Sequence, residues 1–300
     1  MARVRVRDVI NRPLVVIVGP TASGKTALAI RIAKAYDGEV ISADSRAIYK
    51  GLSIGTAKPS ISERQGVVHW GIDLVEPGRR FTAADFKEYA THKINDIRLR
   101  GHVPILVGGT GLYVDSIIYN FGFMPQNIDL EERDRLSNMK IEDLHKYCIV
   151  HNILLPTNPT NKRHVVNNIL RNGQLLRRES KPIDNTIVVG ISTDNDILNR
   201  RIEERAESIF ESGVIEEAVA VASQYGWDNE AMTGNVYPLV RHHIEGELSR
   251  SELIERFIIK DRQLAKRQRT WFRRSEHIYW ADVDGAYRYI AHRLDEVNNS

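Results

Sequence analysis

The stretch "VVIVGPTASGKT", residues 15–26, constrains the fold more than any other part of the chain. Leu14 to Val18 is an apolar run of strand length. It breaks into Gly19-x-x-x-x-Gly24-Lys25-Thr26, the spacing of a phosphate-binding loop. It then enters "TALAIRIAKAY", whose apolar residues recur at helical spacing. A strand, a glycine-turned loop and a helix in that order predict a parallel sheet with the loop at the carboxyl end of a strand. The backbone of Gly19, Pro20, Thr21, Ala22, Ser23 and Gly24 can wrap phosphate oxygens, Lys25 adds a point charge, and the Thr26 hydroxyl can ligate Mg²⁺. A tight turn without a ligand is the alternative. Any diphosphate, and not a nucleotide alone, satisfies such a loop.

Further along, "GEVISAD" reads as a second strand ending at Asp44, and "FTAADFKEYATHKINDIRLRG" as an amphipathic helix capped by Thr82 and stopped by Gly101. "VPILVGGTGLY" reads as a third strand breaking into Gly108 and Gly109. The alternation predicts an α/β fold, a P-loop NTPase-like parallel sheet flanked by helices. Three strand ends then deliver the loop, Asp44 with Ser45, and Gly108 to Thr110 to one edge. From about Phe121 the pattern changes to polar helical segments separated by turns, "LPTNPTNK" among them. This predicts a helical insertion over residues 123–185. "TIVVGIST" returns the chain to the sheet at Thr186, so residues 1–122 and 186–300 form the core with its C-terminal helices.

With 300 residues and 42% hydrophobic content the chain can bury a sizeable core. A net charge of +3 leaves nucleic acid open, because a basic patch can hide in a balanced total. The single Cys148 excludes an intramolecular disulfide framework and a multi-cysteine zinc module, and it fits a reducing, cytoplasmic setting. Arg3, Arg5 and Arg7 precede an apolar run too short for a signal or a membrane span, and residues 1–13 lack the serine of a transit peptide. A monomer with no membrane association is expected.

A kinase of this architecture would carry an acid at the end of an apolar strand to serve the magnesium shell. Here "PILVGGTGLY" ends in Gly108-Gly109-Thr110, and the acid stands on the earlier strand as Asp44. A carboxylate there suits either a group that hydrogen-bonds the water ligands of a magnesium ion or a general base. A helix N-cap feeding "SRAIYKG" is the structural alternative. Near the C-terminus, "ERFIIKDRQLAKRQRTWFRR" carries eight basic residues after Glu255 against one further acid, Asp261. Its spacing sets Arg262, Lys266 and Arg269 or Arg273 along one helical face. Trp271 and Phe272 interleave the charges, as RNA backbone contact with base stacking would require. A solvated charged face is the bland alternative.

Together "GPTASGKT", "ISADSRAIYKGLSIGTAKP", "FTAADF", "LVGGTGLY" and "RQLAKRQRTWFRR" resemble, in order from Gly19 to Arg274, the bacterial type of the tRNA dimethylallyltransferase family. The resemblance implies transfer of a dimethylallyl group from dimethylallyl diphosphate to N6 of the adenosine 3′ of the anticodon, with release of pyrophosphate. It makes Asp44 the general base, Thr110 the residue that helps position the amine, and the loop with Lys25 the holder of the donor's diphosphate, with Mg²⁺ at Thr26. It implies contact with the tRNA anticodon stem-loop through Asp44, Ser45, Arg46, Ala47, Thr110, Arg133 of the insertion, Lys266, Arg267, Gln268, Arg269, Thr270, Trp271, Phe272 and Arg273. Two readings compete with it, a P-loop nucleotide-binding protein associated with RNA and a small-molecule kinase.

The chain departs from the family pattern in places. Ala47 stands where many members have glutamine, and "HVVNNILRNG" lacks an expected arginine. In a glycine-aromatic-basic triplet only Tyr237 survives, with Val236 and Pro238 beside it. Pro238 predicts a helix start. Arg241 then falls on the same face, about 5–6 Å away, where it could supply the missing cation or be an ordinary surface arginine.

Overall fold

The computed structural model describes residues 12–123, 129–174 and 177–299. The arginines at positions 3, 5 and 7 lie outside the described residues. The chain divides into one unit of Met1–Tyr119 with Lys181–Ser300 and a second of Asn120–Ser180.

The first unit is built on a parallel sheet of β1 (Leu14–Val18), β2 (Gly38–Ser42), β3 (His69–Trp70), β4 (Val103–Gly108), β5 (Thr186–Ile191) and β6 (Tyr279–Ala281), in the order β3-β2-β4-β1-β5-β6. Every residue of β1 is buried, as a strand with neighbours on both edges requires. Val15, Ile17, Ile105, Val107 and Val189 pack on α1 (Lys25–Tyr36) and on α11 (Val283–Asn298), through Leu28, Ile32, Ile290 and Leu294. Helix α2 (Ala83–Leu99) and α3 (Gly111–Ile118) pack against β4, and the Phe86 and Tyr113 rings stack at 4.1 Å. The capping residue expected at the start of α2 is present: the Thr82 hydroxyl accepts from the Asp85 amide, and the Asp85 carboxylate accepts from the Thr82 amide.

A second core joins Ile48, Tyr49 and Leu52 to α7 (Asn195–Glu211), α8 (Val214–Tyr225), α9 (Tyr237–Ile244) and α10 (Arg250–Phe272). Pro238 sits in the first turn of α9, as its fixed φ favours. Tyr237 is buried and donates to Glu217 Oε1 at 2.9 Å. The same carboxylate accepts the amides of Ser53, Ile54 and Gly55, tying that loop to α8.

The second unit packs α4 (Leu130–Asn138), α5 (Ile141–Val150) and α6 (Lys162–Leu170) around Leu136, Leu144, Cys148, Val165 and Ile169. In "HVVNNILRNG", Asn168 is buried and donates to Leu154 O at 2.6 Å, while Asn167 Oδ1 accepts from Arg133 at 3.2 Å. Both asparagines thus satisfy polar groups inside this unit.

The end of β4 runs against the chain leaving β2. Ala43 donates to Val107 O at 2.7 Å, and Ala43 O accepts from Thr110 at 3.2 Å. A Cβ on Gly108 would lie 2.1 Å from Ala43 O, a backbone atom that cannot swing aside. Gly108→Ala is therefore expected to cost about 1–3 kcal/mol or more of folding stability, seen as a lower melting temperature in thermal unfolding.

Candidate active site

The loop after β1 has the geometry of an anion cradle. Gly19 and Gly24 take φ of 153° and 90°, and Ala22 is left-handed at 61°, a conformation that costs a non-glycine residue about 1–2 kcal/mol. Such alternation turns successive N–H groups toward one concavity. Ser23 Oγ is buried with no hydrogen-bond partner among the described residues, a polar atom that an arriving oxyanion could satisfy. Thr26 follows on the first turn of α1, exposed, and lines a cavity of about 1380 Å³ with Ile30, Lys58, Arg64 and Arg205.

Opposite the loop stand the ends of β2 and β4. Asp44 Oδ1 accepts from the Arg46 amide at 2.8 Å, and the chain turns there without forming a helix, so the N-cap alternative for Asp44 is replaced by a tight side-chain turn. Thr110 precedes α3 but does not cap it. Its hydroxyl accepts from Ser45 N at 3.0 Å and donates to Ser45 Oγ at 3.3 Å. Strand pairing thus brings Asp44, Ser45 and Thr110 to one place. Helix α10 crosses this edge: a Cβ on Gly109 would lie 2.1 Å from Gln268 Nε2, and one on Gly111 would lie 2.3 Å from the Trp271 ring. These glycines let α10 settle on the sheet end. The close approach also lets Gln268 Oε1 accept the Thr21 amide of the loop at 2.7 Å.

Burial of the ammonium, with the Arg205 guanidinium nearby, pushes Lys25 down to about 7 against the pull of Asp44. Its ammonium donates to Pro20 O at 2.5 Å, inside the loop. Arg205, from α7, donates to Thr21 Oγ1, and its Nε is buried with no partner among the described residues. Two cations held this close beside a phosphate loop suit a diphosphate. Asp261 of α10 is buried, accepts from Asn235 Nδ2 at 2.7 Å, and has its carboxyl pushed upward by that burial, while Arg205 and Asn235 oppose the rise. Sequence reading missed Arg205, Asn235 and Asp261. The first lies among other charges on an amphipathic helix, and no local spacing marks it.

The basic segment divides on α10. Lys266, Arg267, Thr270 and Arg273 are exposed. Arg262 pairs with Glu203 and Arg269 donates to Asn195, so both are engaged by α7. Trp271 is half-buried and donates to Asp115 Oδ2 at 3.0 Å, with the Arg274 guanidinium 4.2 Å from its ring centre. Phe272 corrects its expectation: it is 1% exposed, because it falls on the core side of α10, and offers no ring face to a base. Ala47 is 5% exposed and lends no polar group to an RNA. Arg46 is half-buried, its guanidinium donating to Glu230 O at 2.6 Å. Arg133 belongs to the second unit. Arg241 does not supply the missing cation: Glu245, one turn on, and Asp228 hold it at 2.9 and 3.0 Å on the surface.

A family model described as IPP transferase matches residues 47–275. The chain is 39% identical over 290 residues to the tRNA dimethylallyltransferase of Acetivibrio thermocellus, covering 90% of this chain and 92% of that relative. To the tRNA dimethylallyltransferase of Bacillus pumilus it is 35% identical, over 91% of this chain and 90% of the relative. The crystal structure of the tRNA isopentenylpyrophosphate transferase of Bacillus halodurans matches with a TM-score of 0.74 at 32% identity, over 96% of this chain and 98% of that one. A eukaryotic dimethylallyltransferase acting on tRNA shares the fold with a TM-score of 0.80 at 23% identity, over 96% of this chain and 80% of that one.

Proposed function

Because the chain belongs to the IPP transferase family, we propose that it transfers a dimethylallyl group from dimethylallyl diphosphate to N6 of the adenosine 3′-adjacent to the anticodon in tRNA. The observation that carries the site assignment is that Thr110 bonds Ser45, the residue after Asp44, at the end of the sheet that also carries the phosphate loop with Lys25 and Arg205. The loop amides, Lys25 and Arg205 hold the diphosphate and stabilise the charge it gains as it leaves. The adenine leaves its stack, at about a few kcal/mol, to reach Asp44 and Thr110. Its amine nitrogen bonds to C1 of the dimethylallyl group while the C1–O bond breaks, the electron pair leaves with pyrophosphate, and the amine proton passes to Asp44. Thr110, fixed to Ser45, positions the amine.

A magnesium ion would find one oxygen ligand in the Thr26 hydroxyl, exposed at the start of α1, the hard ligand type the ion prefers. A bound ion there would add charge neutralisation on the diphosphate. Among the described residues no helix is long and apolar enough to cross a membrane. A cytoplasmic enzyme is part of this reading, on the ground of the single Cys148 and a tRNA substrate, and it is expected to work as a monomer.

The test is incubation with undermodified tRNA and labelled dimethylallyl diphosphate, in parallel with ATP. Label in the RNA is the expected result; phosphate release from ATP without label would favour the nucleotide-switch or kinase readings, which the relatives do not support. For the RNA face, Lys266→Ala and Arg273→Ala should each weaken tRNA binding across sequences and flatten its salt dependence by about one phosphate's worth of slope. An unchanged slope would mark these exposed cations as merely solvated.

A further inference from the structure

We propose that buried Asp261, with the half-buried Asn235 that donates to it, is a positioning device that sets the Arg205 guanidinium for diphosphate binding. The substrate in this statement rests on the function proposed above; the positioning itself does not. Two side-chain pairs fix how α7 and α10 run past one another. Glu203 meets Arg262 and Asn195 meets Arg269, so the helices are antiparallel and position 205 falls opposite position 260. Beside these pairs Leu198 and Ile202 of α7 pack with Ile258 and Ala265 of α10 and with Ala22 of the loop. Arg205 lies three residues beyond Ile202, and Asp261 lies three beyond Ile258 and four before Ala265, so both fall on the facing stripes.

A carboxylate that is 4% exposed is costly unless a cation or several donors answer it. Asp261 has Asn235 Nδ2 at 2.7 Å, and the same amide nitrogen reaches Lys260 O at 3.4 Å, which holds the asparagine in place. The charge across the helix pair is Arg205, and its attraction works against the upward push of burial on Asp261. Arg205 in turn spends one N–H on Thr21 Oγ1 and keeps Nε buried without a partner among the described residues. The guanidinium thus faces the stripe of α10 that carries Asp261, without an ion pair to it, and is tied to the phosphate loop. A cation ordered in advance binds an anion without having to be immobilised first.

The experiment is calorimetric titration with inorganic pyrophosphate, with no tRNA present, on the parent and on Asp261→Asn. The expected result is a Kd raised about tenfold, as loss of a charge partner predicts. In transfer assays the same variant should raise KM for the donor more than it lowers kcat. Its melting temperature should hold or rise, because burial already disfavours the charged carboxyl; weaker binding is then not a folding defect. In an Arg205→Ala background Asp261→Asn should change the pyrophosphate Kd by less than about twofold, since the residue it positions is gone. Parent-like pyrophosphate binding by Asp261→Asn, or an equal loss in the Arg205→Ala background, overturns the proposal. Should Asp261→Asn not fold, Asn235→Ala removes the tether and must weaken pyrophosphate binding in the same direction; a parent-like Kd overturns the proposal there too. If no label enters tRNA but these binding effects appear, the transfer reading fails and the positioning role stands.

Discussion

Asp44→Asn is expected to lower transfer of the dimethylallyl group to tRNA by about 10² or more, the scale of a missing general base. Pyrophosphate binding and thermal stability should stay near the parent's. The asparagine keeps the Oδ1 acceptor that takes the Arg46 amide at 2.8 Å, so the turn after β2 survives. What it loses is the capacity to accept a proton. Single-turnover assays with labelled donor and saturating tRNA would read this directly. Prenylation at near the parent rate would reduce Asp44 to a residue that shapes the turn.

Lys25→Ala should produce a loss of similar or greater size, about 10² to 10³ in kcat, because a charge aimed at the leaving group acts mainly in the transition state. Pyrophosphate should also bind more weakly. The ammonium is buried and pushed down to about 7, with Arg205 beside it, so its charge is a cost to the free fold. The melting temperature should therefore hold or rise as activity falls. Kinetics on the variant with donor and tRNA varied in turn, alongside thermal unfolding, would show the split. Parent-like kcat would leave the loop amides and Arg205 as the groups that carry the leaving charge.

Both variants probe residues that short-range sequence pattern is enough to single out. The phosphate loop, the strand ending near Asp44, the strand that breaks at Gly108 and the Thr82 cap are local patterns, each set by a few neighbouring residues. The start of α9 at Pro238 is another, because the pyrrolidine ring decides it alone. Strands β3 and β6, two and three residues long, carry too little alternation to be read.

One expectation failed, at Phe272, and one open alternative closed, at Arg241, for the same reason. Helical spacing identifies a face of α10, but it does not say which neighbour takes that face. Phe272 and Trp271 are adjacent in the chain, yet one enters the core and the other meets Gly111 and Asp115. Arg241 keeps the spacing from Pro238 on α9 that would let it stand in for the missing cation, but two surface carboxylates claim it.

The sequence by itself determined the fold class, the loop that can hold a diphosphate, and the strand ends that carry Asp44 and Thr110, because backbone preference and hydrophobic period act over a few residues. Tertiary structure alone decided that Arg205 from α7, Asp261 and Gln268 from α10, and Asn235 from the loop before α9 are drawn in around that loop. Those contacts join residues 26 to 247 positions apart, and they arise only when antiparallel helices pack on a sheet end that glycines at 109 and 111 keep clear.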